Sequence, residues 1–201
     1  MKKPVPFGAG FFFDQLRASN RTSNAFSERQ TLVLTSKITA FDPAWSNMFE
    51  KESGRISGAF GDTLVAIYHV GSTAITGLAA KPEIDMLVEV SCHQRTPEVD
   101  SFMRSLGYTR GKDLSPGHHF YRRDVDGVRT HKVHVCPTGH SQISRMLRFR
   151  DLLRQDAELR DQYQYLKLKL EAENTEGIKE YLAGKAPFID ALLKGKPDTN
   201  Q

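Results

Sequence analysis

TLVAIYHV, residues 63–70, runs into GSTAITGLAAKPEIDMLVEV, residues 71–90, and this stretch decides the fold. Thr63–Val70 is mostly β-branched or apolar, the pattern of a strand buried on both faces. Gly71-Ser72-Thr73 then interrupts it with residues that offer bare amides and hydroxyls. The outgoing strand alternates: Ile84, Met86, Val88 and Val90 point one way, and Glu83, Asp85, Leu87 and Glu89 the other. Glu83 and Asp85 therefore share a side, a few ångström apart. Such carboxylates repel unless a cation lies between them, and Mg²⁺ takes oxygen ligands of this kind together with substrate phosphates. Glu83 and Asp85 are thus the first candidates for metal ligands and for catalytic groups.

The elements on either side complete an α/β (α+β) chain. Thr31–Ile38 reads as a strand. Asp42-Pro43 opens a helix whose apolar positions are Trp45, Met48, Phe49 and Ile56, closed by Gly58 and Gly61. Pro97–Leu106 is a helix ended by Gly107, and a strand starts at Tyr108. His119–Val125 and Val128–Val135 form a hairpin on the turn dipeptide Asp126-Gly127. Ser141–Gln155, Asp156–Glu173 and Thr175–Leu193 are helices, the last interrupted near Gly184 and Pro187. Residues 1–30 are expected to be a flexible arm with an unusual Phe11-Phe12-Phe13, residues 31–194 one domain, and residues 195–201 a polar tail.

At 201 residues the chain suits one domain with its own core. Mean hydropathy of −0.47 and the lack of a long apolar run exclude a membrane-spanning helix. The Pro- and Gly-broken start does not read as a signal peptide. Two cysteines, Cys92 and Cys136, lack metal-like spacing and read as free thiols of a cytoplasmic protein. A net charge of +4 and a pI near 9.1 favour an anionic partner.

Strand 129–135 supplies Thr130, Lys132 and His134 on one side, and no carboxylate. His134 is a candidate ligand or general base, and Lys132 a phosphate partner. Five of the seven histidines lie between positions 118 and 140. They read as structural or substrate-contacting residues ahead of a zinc site, because no His-x-x-x-His or thiolate pair accompanies them. Tyr121 and Arg122 follow the loop at Gly117; a forked guanidinium suits phosphate or carboxylate. Arg150 and Arg154, four apart, share a helix face and suit polyphosphate or an RNA backbone. Lys167 and Lys185 are weaker candidates of the same kind.

A Gly-Ser turn, ten residues and an acid-x-acid strand resembles the nucleotidyltransferase superfamily, the polymerase-β-like fold. The full run 71–90 is more narrowly similar to the GrpB family, also called uncharacterised protein family 0157. FDPAW at 41–45, the THxxH-like Thr130, His131 and His134, and FRDLLR at 149–154 are further family-like strings. The resemblance implies a mixed β-sheet flanked by helices, with a C-terminal helical segment. It implies a nucleotide held at Gly71, Ser72, Thr73 and Lys81, with Mg²⁺ on Glu83 and Asp85, and nucleotidyl transfer to a small acceptor. Missing here is the third carboxylate of that superfamily, which puts a two-metal mechanism in doubt. A second reading is an arginine-containing cyclodipeptide synthase fed by aminoacyl-tRNA, in which Glu83 and Asp85 grip arginine and no metal or ATP is needed. A third is an accessory binding module, because relatives occur fused to dephospho-CoA kinase. Oligomeric state is not legible.

Overall fold

The alternating run becomes strand β2, Ile84–Val90, and its two faces serve two different layers. The structure, a computed structural model, describes residues 36–92 and 96–195. Strand β1, Leu64–Val70, pairs antiparallel with β2, and β5, Val128–Pro137, runs parallel on its other side. Next come β4, His119–Val125, and β3, Thr109–Arg110, so the order is β1-β2-β5-β4-β3. The result is a mixed sheet packed between helices, the α/β architecture expected.

Ile84, Met86, Val88 and Val90 are all buried against Val133 and Val135. Helix α1, Ala44–Ser57, closes this face with Trp45 and Ile56, and α2, Pro97–Ser105, with Met103. On the opposite face Val70, Leu87 and Cys136 meet Ile143, Met146 and Leu147 of α3, Ser141–Gln155. Helices α4, Ala157–Glu173, and α5, Ile178–Gly195, surround Ile75 and Leu78 with Tyr163 and Leu192, joined by Leu153 of α3. Full burial of Ile75 and Leu78, about 1.5–3 kcal/mol each, pins the segment after the Gly-Ser turn to the helices.

Local chemistry sets the boundaries. The side chain of Asp42 accepts from Ala44 N at 2.8 Å where α1 begins. Thr96 caps α2 and Asp156 caps α4. Asp126 and Gly127, with φ of 50° and 77°, make the left-handed pair that a two-residue hairpin needs.

Two expectations are corrected, and a third lies largely outside the described residues. β1 is an edge strand: Val65 is 52% exposed, and only His69 and Val70 at its end are buried. An apolar run alone does not distinguish a central strand from an edge strand. α5 is not interrupted but continues through Pro187. Gly184 lets it approach α4, for a Cβ there would lie 2.5 Å from Leu170 Cδ2. The strand expected at Thr31–Ile38 lies largely outside the described residues; its described neighbour Thr39 makes a single bridge to Ala80. The arm 1–30 and residues 196–201 of the tail also lie outside them.

Candidate functional site

Gly71 has φ of 72°, and a Cβ placed on it would lie 2.4 Å from Asp85 Oδ2. Both facts demand glycine, one by conformation and one by the close approach of backbone to carboxylate. Ser72–Ala74 forms a single 3₁₀ turn beyond it. Thr73 Oγ1 donates to Glu83 O at 3.2 Å, tying the turn to the start of β2. His69 Nε2 lies 3.1 Å from the same hydroxyl, whose proton is already committed, so Nε2 carries the hydrogen. Burial, then Arg154 and Arg150, lowers His69 to about 4, and it is neutral at pH 7. Thr73 and His69 therefore brace the turn.

Arg150 and Arg154 act on the same turn from α3. Arg150 Nη1 donates to His69 O at 3.0 Å, and Arg154 donates to Ala74 O at 2.9 and 2.7 Å. Arg150 also pairs with Asp151 at 2.7 Å. These guanidiniums hold backbone carbonyls on both sides of Gly71-Ser72.

Lys132 stands directly across from Asp85 in the β2–β5 register, and Arg122 directly across from Lys132. Lys132 Nζ lies 2.6 Å from Glu83 Oε2 and 3.5 Å from Asp85 Oδ1. Ser36 donates to the other oxygen of Glu83 at 3.1 Å. Burial pushes the Glu83 carboxyl up, but Lys132, Ser36 and Lys81 outweigh it and hold the group below its ordinary value. For Asp85 burial wins, and its carboxyl is pushed up. Burial would lower Lys132, yet Asp85 and Glu83 keep it above the usual lysine value.

Three more lysines surround this pair. Lys81 and Lys185 each place Nζ 4.4 Å from the Tyr181 ring centroid. Lys81 Nζ is buried and has no hydrogen-bond partner among the described residues. Lys167, 1% exposed, donates to Ala79 O and lies 5.1 Å from the Tyr163 ring centroid. Burial first, then neighbouring Lys185, lowers Lys167 to about 7. Burial and Lys132 bring Lys185 to about 8, with Asp85 and Glu83 pulling the other way. Tyr163 is hydrogen-bonded to Ser72, which links α4 to the turn. Four ammonium groups thus stand among Glu83, Asp85 and Glu171.

The remaining sequence candidates separate. Tyr121 is on the other face of the sheet, buried, with its hydroxyl on Asp100 at 2.6 Å. It is a core residue because Tyr121 and Arg122 alternate on β4. Arg122 shares the row of Lys132 but is half-exposed beside Asp124. His134 follows Lys132 on the same side of β5, and its Nδ1 lies 2.8 Å from His118 Nε2. Burial brings His134 to about 3, so it is a neutral, weakly basic imidazole at pH 7. Among the described residues no group of three or more His, Cys, Asp or Glu could hold a metal ion. Nor does the acid pair fit Mg²⁺ as it stands: the Lys132 ammonium fills the gap between the carboxylates, and β5 brings no third carboxylate.

A separate cleft of about 600 Å³ opens beside the first turns of α3, lined by Ser141, Gln142, Ser144, Arg145, Arg148 and Leu193. It contains none of the acid pair or its lysines, and Arg145 is paired with Asp190 at 2.6 Å.

A profile of the GrpB protein family matches residues 35–195, the sheet and all five described helices. The chain belongs to the GrpB family. It is similar to the UPF0157 protein YqkA of Bacillus subtilis, 36% identical over 76% of this chain but only 45% of that protein. A UPF0157 protein of Halalkalibacterium halodurans is 34% identical, over 78% of this chain and 80% of that one. The fold matches the crystal structure of conserved protein GrpB from Enterococcus faecalis with a TM-score of 0.73 and 31% identity, over 79% of this chain and 95% of that one. A dephospho-CoA kinase of Mycolicibacterium paratuberculosis is 25% identical over 84% of this chain and 48% of its own length. None of the described helices is long and apolar enough to cross a membrane.

Lys167, Lys185, Tyr163 and Tyr181 are the site residues that the sequence underplays. A signal was present: each lysine follows its tyrosine by four positions, hence shares its helix face, and Tyr163 falls on the inward stripe of α4.

Proposed function

We propose that this GrpB protein binds a substrate carrying a chain of phosphates, a nucleotide in the first place, beside the Gly71-Ser72 turn and the four lysines. One observation carries the reading. Lys81 carries a buried ammonium that meets no hydrogen-bond acceptor among the described residues, in a cluster where four lysines stand among three carboxylates. A buried polar group without a partner costs free energy, and an anion placed there would supply the acceptor. Lys185 and Lys167, brought near neutrality by their surroundings, would take up protons as phosphate arrives.

In this reading a small acceptor bonds to the α-phosphorus of a nucleoside triphosphate as the bond to the β-phosphate breaks, so the nucleotidyl group is transferred and pyrophosphate leaves. The lysines stabilise negative charge on the phosphoryl oxygens. Asp85, with its raised pKa, accepts the acceptor's proton in preference to the weakly basic His134. The arginine-gripping alternative is less well supported, because a guanidinium would have to displace Lys132 from both carboxylates. The likeness to a protein named dephospho-CoA kinase fits a phosphate-bearing ligand, with this chain as catalyst or as accessory module. Calorimetric titration of ATP into wild type and Lys81→Met tests the reading. It expects binding that weakens about tenfold in the variant; absence of binding in wild type removes it.

A further inference from the structure

We propose that Lys132 supplies, from within the chain, the positive charge that a divalent cation would otherwise bring to Glu83 and Asp85, and that phosphate is engaged here without a metal. The second half rests on the phosphate reading above; the first does not.

The geometry is specific. Lys132 belongs to the strand hydrogen-bonded on both sides, to β2 and to β4, so its backbone position is fixed from two directions. Its ammonium touches one oxygen from each carboxylate. The second oxygen of Glu83 is taken by Ser36. Gly71 brings the turn against Asp85 Oδ2, leaving that carboxylate hemmed by backbone on one side and Lys132 on the other. Mg²⁺ requires near-octahedral oxygen ligands at close range. The same side of β5 offers only Thr130, Lys132, His134 and Cys136, and no carboxylate. Lys185, whose ammonium feels both Glu83 and Asp85, adds a second like charge that a cation would meet. A divalent ion would have to expel Lys132 from its ion pairs and face the neighbouring lysines with two carboxylates as its only charged ligands from the described residues.

The same arrangement gives Lys132 a task in binding. Its charge cancels the carboxylates, which would otherwise repel phosphate beside the Gly71-Ser72 turn. The acid pair then orients the ammonium and does not coordinate a metal.

The test is a titration of MnCl₂ into the full chain, with free aqueous Mn²⁺ followed by electron paramagnetic resonance, in wild type and Lys132→Met. Wild type is expected to leave Mn²⁺ free into the millimolar range, and the variant to gain a site at least about tenfold tighter. Stoichiometric micromolar binding by wild type, lost in Asp85→Asn, would overturn the proposal; this arm needs no Lys132 variant to fold. A parallel titration with ATP in excess EDTA is expected to give an affinity within about threefold of that in excess Mg²⁺. ATP binding that appears only with Mg²⁺ overturns the metal-free half and leaves the phosphate reading standing. ATP binding under neither condition overturns the phosphate reading, while the Mn²⁺ result still decides what lies between the carboxylates.

Discussion

On one face of the sheet, Glu52 of α1 accepts from Arg123 at 2.8 Å, Tyr108 at 3.0 Å and Arg55 at 2.7 Å, and Arg123 reaches His131 at 3.0 Å. On the other face, Glu83 and Asp85 meet Lys132, Lys81 and Lys185. Both clusters bury charge on neighbouring strands, and His131 and Lys132 are adjacent in sequence. In the first, the carboxylate takes three donors on two oxygens and ties α1 to the sheet, and the Arg123 guanidinium is held through both terminal nitrogens while its Nε meets no acceptor among the described residues. The second has lysines in excess of carboxylates, and the whole ammonium of Lys81 meets no acceptor among the described residues. Buried charge that is matched reads as architecture; buried charge that is unmatched reads as a place for a ligand.

The strongest way to break this contrast is Glu52→Ala. It leaves Arg123 buried without its carboxylate, and urea denaturation should show a loss of about 3–5 kcal/mol. ATP affinity of the folded variant should not change. A stable Glu52→Ala protein with lost ATP binding would reverse the roles of the two faces.

Gly71→Ala comes next. A side chain at φ of 72°, clashing with Asp85, should cost about 1–3 kcal/mol of stability and abolish detectable ATP binding. Wild-type affinity in that variant would show that the turn does not form the site.

Lys185→Met should separate function from stability. ATP affinity is expected to fall about tenfold, while the denaturation midpoint stays or rises because a buried like charge has been removed. A destabilisation as large as that of Glu52→Ala would make Lys185 architectural.

The smallest effect concerns pH. Lys167 and Lys185, at about 7 and about 8 in the folded chain, lie below the 10.5 of an unperturbed lysine. Between those values the unfolded chain binds more protons, so their contribution makes stability rise from about pH 7 toward pH 10.5. Below that window both states are protonated and the penalty is fully present. Denaturation at pH 7 and pH 9.5 should show a rise that shrinks in Lys167→Met/Lys185→Met; an equal rise in both proteins would remove the lysines as its source.

Much of this architecture is legible in the sequence. Alternation in Ile84–Val90 assigned each residue to its face, and Asp126-Gly127 located the hairpin. Local signals fail where a decision is tertiary. Nothing within Leu64–Val70 says that only one strand pairs with it, and nothing around Pro187 says that packing against Leu170 will carry the helix through. The carboxylates of the site were readable because strand periodicity is local. Their cation was not, because Lys132 meets Asp85 only through a parallel pairing of strands 47 residues apart. Arg150 and Arg154 illustrate the converse: their charge suggested phosphate, and their partners are the carbonyls that shape the turn.

The most direct measurement is ATP calorimetry at pH 8 in EDTA, repeated in two buffers of different ionisation enthalpy. Phosphate arriving among partly neutral lysines should draw a fraction of a proton from solution, so the observed heat should differ between buffers in the sense of uptake. Binding with identical heats in both, or no binding in either, would contradict a phosphate site built from Lys81, Lys167 and Lys185.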